Sequence, residues 1–114
     1  MNPSEIMNVL QNKNRLLTDK NDEYIKLSHT RAEAEQDYKI AFARAILNLK
    51  LDGHPVTILK DLVNGDKVVA GLKFKYEVAA AIEKACLESM KDVREAIGSA
   101  RSILTWMREE KVHP

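Results

Sequence analysis

The sequence predicts an all-α protein: two long antiparallel helices joined by a short helical corner, a helical hairpin of coiled-coil type. Three observations predict it. Apolar residues recur at spacings of three, four or seven toward both ends of the chain, which keeps one face of a helix apolar. No glycine or proline falls between Ser4 and Asp52. Gly53, Pro55 and Gly65 then interrupt the pattern within one stretch, LDGHPVTILKDLVNGDK, from Leu51 to Lys67.

The first long helix is expected over about 3–51. In NPSE, Asn2 can cap, Pro3 suits the first helical position and Glu5 can bond back to the cap. Its apolar stripe is Ile6, Leu10, Leu17, Tyr24, Leu27, Ala34, Tyr38, Phe42, Ala45 and Leu49, along a rod of roughly 70 Å at ~1.5 Å per residue. Gln11–Glu23 is more polar, so fraying is expected in the first turns. Gly53 and Pro55 stop the helix. Thr57 then caps a short helix over about 57–63, with Val56, Ile58, Leu59, Leu62 and Val63 tucked inward, and Asn64-Gly65 closes it. Asp66 caps the last helix, about 67–111, whose stripe is Val69, Leu72, Tyr76, Ala79, Cys86, Met90, Val93, Ile97, Ala100, Leu104 and Met107, with Glu83 the one polar intruder.

Equal rises on either side of the corner predict that facing residue numbers add to about 118. That register sets Tyr38 and Phe42 beside Ala79, Ala80 and Ala81, and Ala41 and Ala45 beside Phe74 and Tyr76, large against small. It also sets Ile97 near Tyr24. The 114 residues form a single helical domain, 1–114. With only six aromatic residues, alanine and leucine must do most of the packing. A lone hairpin covers one stripe per helix, yet Ile25, Ile40, Ile46, Val68, Ile82, Leu87 and Ile103 lie beside the seam. Covering that band calls for self-association into an oligomeric helical bundle, most simply a two-fold dimer, closed within each chain or swapped between two.

Composition restricts the function. Lys plus Arg number 18 against 17 Asp plus Glu, a net charge of +1, so any nucleic-acid site must be a local patch. The single Cys86 allows no internal disulfide. With neither a signal peptide nor a membrane span evident, a soluble cytoplasmic protein with no membrane partner is the expectation. His29, His54 and His113 lack metal-ligand spacing, and no phosphate loop or nucleophile–base pair stands out, so neither a cofactor, a metal nor an enzyme activity is expected. Cys86 and Met90 read as seam fillers.

Three surface features admit a functional reading. The corner, with Lys67, Lys73 and Lys75 just beyond it, has a helix-turn-helix outline, but the helix that follows is too long and too apolar on one face for a recognition helix. Arg94, Arg101 and Arg108 form a heptad-spaced ladder. It could track phosphates, or cover the seam and pair with acids of a neighbouring helix; Glu88, Asp92, Glu95, Glu109 and Glu110 dilute it. Trp106 lies off the seam between Arg101 and Arg108, as an anchor for a partner protein, as a stacking face for a base, or as a seal against Leu10 or Leu17.

The block from Pro55 to Glu110 also resembles a family of small helical proteins of bacteriophages and prophages of Gram-positive bacteria. The resemblance rests on Pro55-Val56-Thr57, Asp61-Leu62, Gly65-Asp66, and an ending with Ser102, Ile103, Leu104, Arg108, Glu109 and Glu110. SILTWMREE replaces a Gln-rich version of that ending, so the resemblance does not explain Trp106. The family's activity is unassigned. It implies an early-region phage protein, in the cytoplasm of the host, linked by association to DNA replication or recombination. The expected function is a non-enzymatic oligomeric scaffold or adaptor for a phage or host DNA-metabolism protein. The alternatives are a direct nucleic-acid binder, possible but not favoured, and a helical virion component.

Overall fold

The computed structural model describes residues 2–112, the last two by their backbone alone. Helix α1 spans Pro3–Leu51, a single 3-10 turn spans Val56–Ile58, α2 spans Leu59–Asn64 and α3 spans Lys67–Val112. No strand occurs among the described residues. The fold is all-α, two long antiparallel helices joined by a short helical corner.

Local chemistry accounts for the helix ends. At the start of α1 the Glu5 amide donates to Asn2 Oδ1 at 2.9 Å, and the Asn2 amide donates to Glu5 Oε2 at 3.3 Å. This reciprocal box satisfies donors that the first turn leaves free. Gln11–Glu23, where fraying is expected, is helical throughout, and Ile6 is buried ahead of it. At the far end Gly53 adopts φ 86°, the Gly53 amide donates to Lys50 O at 3.0 Å and the His54 amide to Leu49 O at 3.1 Å. These two bonds close the last turn around a left-handed residue, a conformation that glycine reaches without steric cost.

The corner departs from expectation in two ways. Thr57 caps nothing: the 3-10 turn runs directly into α2, so α2 has no free N-terminus for Thr57 to serve, and neither element has a side-chain cap. Of the apolar residues expected inside, only Leu59 and Val63 are buried, while Val56, Ile58 and Leu62 are exposed. A helix of six residues offers one face, and the i, i+4 pair occupies it. Asp66 caps α3 as expected, its Oδ1 accepting the Val68 and Val69 amides at 3.0 Å each.

The chain divides into two compact units. Unit 1 combines the residues up to Ile25 with those from Lys84 onward, and unit 2 comprises Lys26–Glu83. In unit 1, Ile6 packs with Ala100 and Leu104, flanked by Leu10 and Met107. The Cys86 thiol lies 3.7 Å from Lys20 O. In unit 2, Tyr38 stacks on Tyr76 with centroids 6.1 Å apart, and Phe42 meets Tyr38 edge-on at 6.0 Å. Numbers fall on one helix as they rise on the other, which makes the pairing antiparallel in each unit.

These pairs correct the register. Tyr38 with Tyr76, and Arg31 with Glu83, replace the expected sum near 118 by one about a turn smaller. Equal rises ignore α2, which occupies the step so that α1 overruns the start of α3; Leu47 and Leu51 in that overrun are exposed. The expected alternation of large against small is therefore replaced by a ring-on-ring contact, and Phe74 is 67% exposed instead of packed on alanine. Ile97 is buried far from Tyr24: it lies eleven residues beyond Cys86, about 16 Å at ~1.5 Å per residue, and Cys86 already sits against Lys20.

Candidate interaction surfaces

The seam leaves little polar chemistry inside. On α3, Val69, Ala79, Cys86, Met90, Val93, Ile97, Ala100 and Leu104 are buried, and Leu72, Tyr76 and Met107 half-buried. On α1, Ile6 and Ala34 are buried, and Tyr24, Leu27, Tyr38 and Phe42 half-buried. The seven-residue gaps in the α1 stripe are filled by Lys13, Lys20 and Arg31, all half-buried.

Arg31 answers the polar intruder Glu83. Its Nε donates to Glu83 Oε2 at 3.1 Å and Oε1 at 3.3 Å, and its Nη1 donates to Glu35 Oε2 at 2.8 Å. Lys39 Nζ closes the chain on Glu35 Oε1 at 2.9 Å. The hydrogen bond from Arg31 to Glu83 raises the guanidinium pKa. The hydrogen bond from Lys39, seconded by Arg31, holds the Glu35 carboxyl below its ordinary range, and the same bond raises Lys39. All three groups are thereby held in their charged forms, which suits a structural clasp and leaves no proton poised for transfer. The sequence carried a signal for it: Arg31 sits at the heptad position midway between Leu27 and Ala34, and Glu83 breaks the facing stripe.

Either side of the seam follows a simple rule. Residues immediately before a seam residue lie on one flank, and those immediately after lie on the other. On the preceding flank of unit 1, Val9, Ala96, Ser99 and Ile103 line an open apolar groove over Ile6 and Ala100. Val9 and Ile103 are exposed, and Trp106, 58% exposed and immediately before Met107, belongs to this flank. Trp106 therefore does not seal the end of the seam, which Ile6, Leu10, Leu104 and Met107 close without it. Unit 2 repeats the arrangement, with Thr30, Lys75, Val78 and Ile82 lining a groove over Leu27 and Ala79.

Lys67, Lys73 and Lys75 are exposed, as are Arg94, Arg101 and Arg108. Among the described residues none of these six makes an ion pair within the chain. His29 contacts Glu33 at 3.2 Å on an exposed face, His54 is in the corner, and His113 lies outside the described residues. No group of three metal-ligating side chains occurs among the described residues, and no helix there is long and apolar enough to cross a membrane.

No family model, curated protein or solved structure matches the chain.

Proposed function

We propose that the protein is a non-enzymatic, self-associating helical scaffold or adaptor of phage type, most simply a two-fold dimer, acting in the cytoplasm of its host. The observation that carries the reading is the exposed apolar flank of each unit. Val9, Ile103 and Trp106 in unit 1, and Val78 and Ile82 in unit 2, are large apolar side chains in water beside open grooves floored by apolar residues, Ile6 with Ala100 and Leu27 with Ala79. A two-fold partner would cover such a flank with an identical one, at a gain of ~25 cal/mol per Å² of apolar area removed from water. Trp106 is then the anchor, since interface energy concentrates in a few large side chains. The resemblance of the segment from Pro55 to Glu110 supports the remainder, an association with phage DNA replication or recombination through a protein partner.

Light scattering coupled to size exclusion tests it. Wild type elutes as a dimer or larger at micromolar concentration, and Val9→Glu/Ile103→Glu shifts it toward monomer with helicity retained. A monodisperse wild-type monomer would remove self-association from the reading.

A further inference from the structure

The near-neutral net charge conceals a division of charge across unit 1. On α3, the residues that immediately follow Met90, Val93, Ala100 and Met107 are Lys91, Arg94, Arg101 and Arg108, all exposed. The acids of the same segment, Glu88, Asp92, Glu95, Glu109 and Glu110, occupy the outer and preceding positions of the heptad instead. They border the basic strip without interrupting it. One contact crosses the border, Lys91 Nζ to Glu88 Oε1 at 3.3 Å, exposed on both sides.

Antiparallel pairing sets the following flank of α1 beside the following flank of α3, just as Val9 joins Ala96, Ser99 and Ile103 on the preceding side. The α1 residues on this flank are Gln11, Asn14, Thr18 and Asn21, all exposed and none acidic, with one cation and one acid, Arg15 and Asp19, on the same open surface beside them. Unit 1 therefore has a flank of cations facing neutral amides and a hydroxyl. Its exposed large apolar residues are Met7 and Ile25, toward its ends.

We infer that this flank binds the sugar-phosphate backbone of double-stranded DNA, independently of whether copies of the chain associate. Three features select the ligand. Guanidinium groups bond phosphate oxygens in pairs, and amide and hydroxyl side chains complete such backbone contacts. An acidic protein helix would need an apolar anchor at the centre of the interface, and the apolar groove and Trp106 lie on the other flank. Single-stranded DNA is held by bases stacked on aromatic rings, and no aromatic side chain falls on this flank. A straight strip of cations spaced by heptads, about 10 Å apart from Arg94 to Arg101 to Arg108, reads phosphates without reading sequence. Binding by counterion release needs no apolar burial.

Fluorescence anisotropy with a labelled mixed-sequence duplex of about 25 base pairs, titrated with the full chain, tests the inference. With three to four phosphate contacts, affinity falls roughly 40- to 150-fold between 50 and 200 mM salt. Arg94→Gln/Arg101→Gln/Arg108→Gln abolishes measurable binding while circular dichroism stays that of wild type. Lys67→Gln/Lys73→Gln/Lys75→Gln, in unit 2, leaves the affinity within about twofold. Glu88→Gln, which frees Lys91, tightens it. Absence of duplex binding at 50 mM salt overturns the inference, as does an Arg triple variant that binds like wild type. Tighter binding to single strands than to duplex removes the duplex assignment, and polyglutamate competing as well as duplex at equal charge reassigns the strip to an acidic protein.

Discussion

Unit 1 closes its seam by packing Ile6 with Ala100 and Leu104, whereas unit 2 sets Arg31 against Glu83 within its seam and stacks Tyr38 on Tyr76. The same two helices thus carry two kinds of contact. An aliphatic seam rewards burial and discriminates weakly between registers one turn apart, because one aliphatic side chain replaces another at small cost. A two-pronged ion pair and a ring stack have fixed geometry, and a slip of one turn leaves the half-buried Glu83 carboxylate without a partner and Arg31 with only Glu35 of its own helix. Unit 1 is built for stability and unit 2 for alignment.

The largest effect that breaks this comparison is expected in unit 1. Ile97→Asp puts a carboxylate that must be desolvated at a seam position only 5% exposed, at a cost of roughly 3–5 kcal/mol. Circular dichroism and light scattering should show the variant largely unfolded or monomeric at micromolar concentration. Glu95→Ala, exposed on the outer face, leaves helicity and size unchanged. A helical Ile97→Asp of wild-type size would mean that unit 1 does not carry the burial assigned to it.

In unit 2 the effect is smaller and depends on which partner is removed. Glu83→Leu alone removes the interhelical partner of Arg31, leaving it only Glu35 of its own helix, and lowers the melting temperature by less than Ile97→Asp does. Arg31→Met/Glu83→Leu together recovers that loss, because aliphatic replacement of a paired ion is often neutral, but the register constraint is gone. Paramagnetic labels at exposed Gln36 and Glu77, both within unit 2, would report a broader distance distribution in the double variant than in wild type. An unchanged distribution would shift the alignment role to Tyr38 and Tyr76.

The smallest effect is a pH dependence confined to unit 2. The Glu35 carboxyl is held below its ordinary value, chiefly by the hydrogen bond from Lys39. The unfolded chain therefore takes up the proton first as pH falls. The stability from Glu35 is present above the ordinary value of 4.5 and is lost as pH drops through the lowered one. Thermal melts between pH 6 and 3, on the order of the window where carboxylates titrate, should show a shallower acid slope for Glu35→Gln than for wild type.

Both ends of α1 and the start of α3 were legible because each is written in a few adjacent residues: Asn2 and Glu5, Gly53 and Pro55, and Asp66. The stripe was legible because heptad spacing belongs to one helix at a time. Register was not, since it depends on how α2 fills the corner, and six residues at a corner carry no periodicity. The clasp was half legible. Glu83 stands out as polar on an apolar stripe, while Arg31 does not, because α1 reads just as well with sevenfold gaps. The Arg ladder was visible in sequence, but its separation from the acids emerges only once the seam fixes which residues precede it and which follow.

Cys86 gives the molecule a reporter of its own motion. It is the only thiol, it is buried, and its sulfur rests against the Lys20 carbonyl of the opposite helix. A reagent can reach it only when that part of unit 1 opens, so the labelling rate under native conditions measures the free energy of opening without any substitution. Fast reclosing makes the rate track an equilibrium, and slow reclosing makes it track the opening step itself. A chain of two helices thus carries an internal clock for the separation of its own arms.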